Sequence, residues 1–174
     1  ADIDTGSSFA GVAVVGNAAS AATEGTWQYS SDGGTNWYPV GAVADDSTAL
    51  ALSSATLLRF APVIDFNGTP TPLVVRGLDD SYAGAFSSTG AGEARVVVDT
   101  TSNGGTTAIA AATANLTTSV SPVNDAPVVT TSPGSLAYVE NGSTPVDPGL
   151  TVIDVDNATA VSATAQVTGN YVTG

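Results

Sequence analysis

Short apolar runs separated by turn residues recur along the whole chain. Gly11 to Val15, Thr26 to Ser30, Trp37 to Val40, Thr56 to Phe60, Leu73 to Leu78 and Ala94 to Val98 are rich in β-branched, aromatic or aliphatic residues, the composition of strands. Between Trp27-Gln28-Tyr29 and Trp37-Tyr38 lies Ser31-Asp32-Gly33-Gly34-Thr35-Asn36. Asp and Gly tolerate the positive φ of tight turns, so this segment predicts a hairpin. Asn67-Gly68 and Asn103-Gly104-Gly105 mark further reversals. No stretch sustains a 3.6-residue period with caps. Ala108 to Ala114 has the length for one helical turn, but its Thr-rich flanks argue against it. Many short strands at close intervals predict a β-sandwich.

After Val123-Asn124-Asp125-Ala126-Pro127 the pattern restarts. Val128 to Thr131, Leu136 to Val139, Leu150 to Ile153 and Val161 to Val167 predict four more strands, with Asn141-Gly142 and Asp147-Pro148-Gly149 as turns. Four strands are too few for an independent sandwich of about 100 residues. The predicted organisation is a β-sandwich over 1–122, a junction at 123–127 and a partial second β-module over 128–174.

An Asp-x-Asp signature occurs twice, as Asp2-Ile3-Asp4 and as Asp154-Val155-Asp156, and a Val-Gly-Asn or Val-Thr-Gly-Asn sequence follows each at a similar distance. The duplication suggests a repeat from a longer array. Three Arg and no Lys face thirteen Asp and three Glu, for a net charge of −13. Nucleic acid and anionic membranes attract positive charge, so neither is an expected partner. Cations are. Without Cys or His there is no disulfide framework, no thiolate chemistry and none of the usual zinc and general-base ligands. No apolar run approaches the ~20 residues that span a bilayer, so membrane insertion is not expected, and any signal or anchor is expected outside this stretch.

Alternate residues of a strand point to one face, so an Asp-x-Asp at a strand end can offer two carboxylates to one ion. Calcium takes six to eight oxygen ligands from Asp, Glu, Asn and carbonyl groups. The same Asp residues also suit ordinary turns, through hydrogen bonds to nearby amides. Asp45-Asp46 reads as a solvated turn, Arg59 and Arg76 as outward-facing partners of ion pairs, and Trp27, Tyr29 and Trp37 as packing residues rather than a carbohydrate platform.

Together, Val-Asn-Asp-Ala-Pro, the segment from Val146-Asp147-Pro148-Gly149-Leu150 to Asp154-Val155-Asp156, and Gly25-Thr26-Trp27-Gln28-Tyr29-Ser30-Ser31-Asp32-Gly33-Gly34 with Trp37 resemble the cadherin-like tandem repeats of large bacterial surface and secreted adhesins of the RTX type. The resemblance implies an all-β, Greek-key β-sandwich of cadherin or immunoglobulin type. It implies a secreted or cell-surface location, Ca2+ as a structural ion, neighbouring repeats of the same chain as partners, and cell-surface glycans or proteins as further ones. Carried over residue by residue, it assigns Asn124, Asp125, Asp154 and Asp156 to a junction site with Glu140, and Asp79 to a second site with Asp2 and Asp4. The junction departs from the cadherin pattern in having Ser121-Pro122-Val123 where an additional Asp is usual. A glycan- or protein-binding module is the alternative function. A remoter one is an aspartic-protease-like enzyme through Asp4-Thr5-Gly6, but Asp99-Thr100-Thr101 replaces the Gly a second loop requires, and a dyad needs two carboxylates. The expected function is therefore structural and non-enzymatic.

Overall fold

The computed structural model describes residues 8–134, 137, 139 and 141–166. Contacts divide the chain into two compact units, Ala1–Ser121 and Pro122–Gly174. The fold is all-β and sandwich-like, with antiparallel sheets. No helix among the described residues is long and apolar enough to cross a membrane.

The first unit contains β1 (Phe9–Asn17), β2 (Gly25–Ser30), β3 (Tyr38–Pro39), β4 (Ala49–Ser53), β5 (Leu57–Pro62), β6 (Leu73–Asp79), β7 (Val97–Val98) and β8 (Ile109–Leu116). Five form one sheet in the order β7-β4-β1-β6-β8, and three form another in the order β3-β2-β5. The β2–β3 hairpin pairs Tyr29 with Tyr38. Its turn places Gly33 at φ 73° and Gly34 at φ 91°, conformations that only Gly adopts without strain. The Asp32 carboxylate closes the turn, accepting hydrogen bonds from Ser30 Oγ at 2.7 Å and the Asn36 amide at 3.0 Å. These bonds, Ser30 first, hold its pKa far below the ordinary carboxylate value.

In the five-stranded sheet no two neighbours are consecutive in sequence. The chain leaves the sheet after β1, returns at β4, leaves again for β5 and returns at β6. Inner-face residues Val14, Leu50, Leu52, Leu73 and Val75 pack against Trp27, Tyr29 and Val40. Trp27 meets Phe60 edge-on at 5.3 Å between ring centroids and donates its indole N–H to Thr71 O at 2.9 Å. Tyr29 is fully buried and donates its hydroxyl to Glu93 Oε1 at 2.8 Å. Desolvation first, then the hydrogen bond to Glu93, pushes its pKa up to about 12. Both polar tips thus find the partners that buried aromatics require.

The opposite face of this sheet is also buried. Ala13, Val15, Ala49, Ala51, Leu78, Val98 and Ile109 form a second cluster with Tyr82, Phe86 and Val96 beside it. The cover follows from strand order. From β6 the chain must pass β1 and β4 to reach β7 at the far edge, and from β7 it must pass them again to reach β8. Gly11 shows how closely the cover lies: a Cβ there would stand 2.9 Å from the Phe86 ring, besides 2.2 Å from Leu52 O of the neighbouring β4. Ser87 and Thr89, both buried, meet the Val96 and Ser31 amides, as buried hydroxyls must.

Several expectations change. The predicted Ala94 to Val98 strand contracts to β7, because the residues before it form the cover. Ala49-Leu50-Ala51-Leu52 forms β4, buried on both faces. Such a strand shows a continuous apolar run rather than alternation. Ala108 to Ala114 falls largely in β8, where pairing with β6 decides its conformation.

The second unit contains a two-stranded ribbon, β9 (Val128–Thr130) with β10 (Thr151–Ile153), pairing Val129 with Val152 and Val128 with Ile153. Asp147 draws the intervening loop together by accepting hydrogen bonds from the Ser132 amide at 2.8 Å and the Gly149 amide at 3.0 Å. The predicted strand from Val161 is not formed over residues 161–166, where Val161 is fully exposed. Val167 lies outside the described residues, as do Leu136 and Tyr138 of the predicted Leu136 to Val139 strand.

Candidate functional site

The acidic junction lies wholly within the second unit, and its geometry follows from the register of the ribbon. Ile153 stands opposite Val128. Continuing the same antiparallel count three residues in each direction brings Asp156 opposite Asp125. The Asp125 amide donates to Asp156 Oδ2 at 2.6 Å. Asp154, immediately after β10, turns the chain at this point. Its Oδ1 accepts the amides of Asp156 and Asn157, both at 2.9 Å, the geometry of an Asx turn. Asn124 Nδ2 donates to Asp125 O at 2.9 Å.

Four of the expected junction residues are thus brought to one end of the ribbon. Asp154 Oδ2, Asp156 Oδ1, Asn124 Oδ1 and the Asp125 carboxylate are hard oxygen donors of the kind that calcium selects, and they accept no hydrogen bond from the other described residues. The fit is partial, since no three acidic side chains among the described residues converge closely enough to hold an ion. Glu140 lies outside the described residues. The residues here serve turn chemistry and offer unused oxygens at once.

The second expected cluster is represented by Asp79 alone, because Asp2 and Asp4 lie outside the described residues, and with them the Asp4-Thr5-Gly6 motif. Asp79 ends β6 and pairs with Phe9 at the start of β1. Its Oδ1 accepts from the Ser81 amide at 2.8 Å and the Ser81 hydroxyl. The neighbouring Asp80 accepts Ser8 Oγ at 3.0 Å and donates its amide to Ser8 O at 2.9 Å. The chain therefore runs past these two carboxylates as it enters β1.

The remaining charged groups add partners to their sequence reading. Asp45-Asp46 lies in a surface bend, where Asp46 Oδ1 accepts the Thr48 amide at 2.7 Å, but Asp45 is also paired. Its carboxylate meets the Arg76 guanidinium through Oδ1 at 2.8 Å and Oδ2 at 2.5 Å, and Thr100 Oγ1 donates to Oδ1 at 2.8 Å. The Arg76 hydrogen bonds, reinforced by Thr100, lower the Asp45 pKa to about 2. Arg76 is not outward-facing. It lies buried in the sheet, at an irregularity where β8 takes extra residues relative to β6, and donates Nη1 to Ala110 O and Ala111 O. An Arg within the apolar run Leu73 to Leu78 was the available signal, because a buried charge requires a partner. Among the described residues Arg59 makes no ion pair. It lies 4.1 Å above the Trp37 ring and donates Nε to Gln28 Oε1 at 2.7 Å. Trp37 is therefore a half-buried shelf covered by a cation, while Trp27 and Tyr29 belong to the core.

Asp99 accepts the Thr101 amide at 2.9 Å and the Thr101 hydroxyl at 2.7 Å. These bonds, the hydroxyl first, hold its pKa below the usual value, and Thr100 is turned toward Asp45 instead. Comparison with protein-family models, with curated proteins and with solved structures returned no significant match. The functional reading rests on the residues and their geometry.

Proposed function

We propose that this chain is a structural, non-enzymatic extender or adhesion module of a large repetitive bacterial surface or secreted protein, stabilised by calcium where one β-module succeeds another. The observation that carries the reading is the apposition of Asp125 and Asp156 across the end of the β9–β10 ribbon, with Asp154 and Asn124 beside them. Asp125 and Asp156 meet through the Asp125 amide, and in a chain of net charge −13 a divalent cation would neutralise the carboxylates gathered at this end of the ribbon. Its effect is mechanical. An ion shared by the segment entering the unit and the turn leaving β10 would join two points distant in sequence and stiffen the junction. Neighbouring repeats of the same chain are the proposed partners. A glycan platform has less support, because Trp27 and Tyr29 lie in the core and Arg59 covers one face of Trp37.

Calorimetric titration and thermal melting with calcium test the proposal. An ion that binds only the folded form at 100 times its Kd adds about 2.7 kcal/mol. Melting of the second unit should rise with calcium, and rise less with magnesium, which demands a tighter octahedral shell. Asp154→Asn with Asp156→Asn should remove the calcium-induced rise. The rise, rather than absolute stability, is the quantity to compare, since both substitutions also relieve repulsion. Absence of calcium binding at millimolar concentration defeats the proposal.

A further inference from the structure

The five-stranded sheet ends at β8, and over the later residues of this strand the edge lacks, among the described residues, the features that usually protect one. Edge strands are normally blunted by charged residues, Pro or a covering segment, because their unpaired amides and carbonyls are a template for another strand. From Thr100 to Asn124 no residue is charged, the longest such run in the chain, and no Pro falls within β8. Part of the strand is occupied. The Gly104 amide donates to Ile109 O at 2.7 Å, and Arg76 takes the carbonyls of Ala110 and Ala111. Among the described residues Ala112, Thr113, Ala114, Asn115 and Leu116 make no hydrogen bond beyond their ladder with β6. Ala110 through Asn115 are exposed, although residues of a half-buried strand normally alternate.

We propose that the Ala112–Leu116 edge pairs with the same edge of a second copy of this chain, antiparallel about a two-fold axis at Ala114. The strand's own sequence selects this occupant, and two copies that repel overall, with sixteen acidic residues against three Arg, meet here along a strand whose own residues carry no charge. The strand suits its own image. A two-fold at Ala114 sets Ala114 against Ala114, Thr113 against Asn115 and Ala112 against Leu116. Small residues then meet at the centre, with a hydroxyl and amide able to bond on either side. The patch is short, well below the roughly 1,200 Å² of a stable interface, so the dimer is weak and forms at high protein concentration. Added salt strengthens it by screening the repulsion.

Sedimentation equilibrium of the full chain, from micromolar to millimolar protein at low and high salt, tests this directly. The expected result is a reversible dimer favoured by salt. Ala114→Glu and Ala114→Lys change the net charge in opposite directions, but each sets like charges opposite each other at the axis. Both should weaken the dimer by roughly tenfold or more, while circular dichroism and melting of the first unit stay as in the parent. Val161→Lys, in the second unit, should leave dimerisation intact. A monomer under all conditions overturns the proposal, as does a dimer that survives both Ala114 variants, tightens in Ala114→Lys, or is lost in Val161→Lys.

Discussion

Strand β1 in the first unit and the β9–β10 ribbon in the second carry the same kind of sequence and meet different fates. Val12-Ala13-Val14-Val15 is apolar on both faces, and so are Val128-Val129 and Val152-Ile153. In β1 both faces are used: Val14 is fully buried against the three-stranded sheet and Ala13 fully buried under the irregular cover. In the ribbon neither face is covered among the described residues. Val128, Val129, Val152 and Ile153 remain 63%, 59%, 46% and 65% exposed. A continuous apolar run specifies a strand meant for layers on both sides, but it cannot supply those layers. The first unit gains its stability from the layers, whereas the described residues of the second are held by the β9–β10 ladder and by hydrogen bonds to Asp147, Asp154 and Asp156.

Truncation in the two regions should separate them most widely. Leu50→Ala removes a fully buried side chain and is expected to cost about 2–5 kcal/mol in urea unfolding of the first unit. Val152→Ala is expected to cost under about 0.5 kcal/mol. A comparable cost at Val152 would show that the ribbon is covered after all.

Cutting the ion pair tests how the first unit anchors its edge. Arg76→Ala leaves Asp45 and two backbone carbonyls without their partner. Buried pairs cost about 3–5 kcal/mol when broken and exposed ones about 1 kcal/mol or less. Because Asp45 keeps 40% of its side chain in water while Arg76 keeps 10%, a loss of about 2 kcal/mol is expected. The same contact has a pH signature. Folding lowers the Asp45 pKa from 3.8 to about 2, so its contribution is complete above the unfolded value and declines as pH falls through 3.8 toward about 2. Asp45→Asn should flatten stability in that window and leave it unchanged in shape near neutrality.

Arg59→Ala should have the smallest effect in the first unit, about 0.5–1 kcal/mol, since it uncovers Trp37 without opening the core. Tryptophan fluorescence should report greater exposure of Trp37 while the buried Trp27 is unaffected. Amide exchange then sharpens the comparison at the level of single bonds. The amides of β1 and β4 should exchange through global opening, and those of β9 and β10 through local opening at much lower free energy.

Local chemistry was legible in the sequence. The Ser31 to Asn36 hairpin follows from Asp and Gly between aromatic strands, and most strands announce themselves by β-branched and aliphatic runs. The junction residues Asn124, Asp125, Asp154 and Asp156 were also identifiable as oxygen donors, because their chemistry belongs to the residues themselves. These signals act over a few bonds, where side-chain shape and backbone preference decide the outcome.

Tertiary structure decided the rest, because strand pairing joins residues remote in sequence. It made β1 central and β8 an edge, folded residues that read as a strand into a cover, and gave Arg76 its partner in Asp45, thirty-one residues away. No periodicity encodes that distance. The facing of Asp125 and Asp156 is likewise a property of register: it exists because Val128 pairs with Ile153, and a slip of one residue would turn the side chains to the other face.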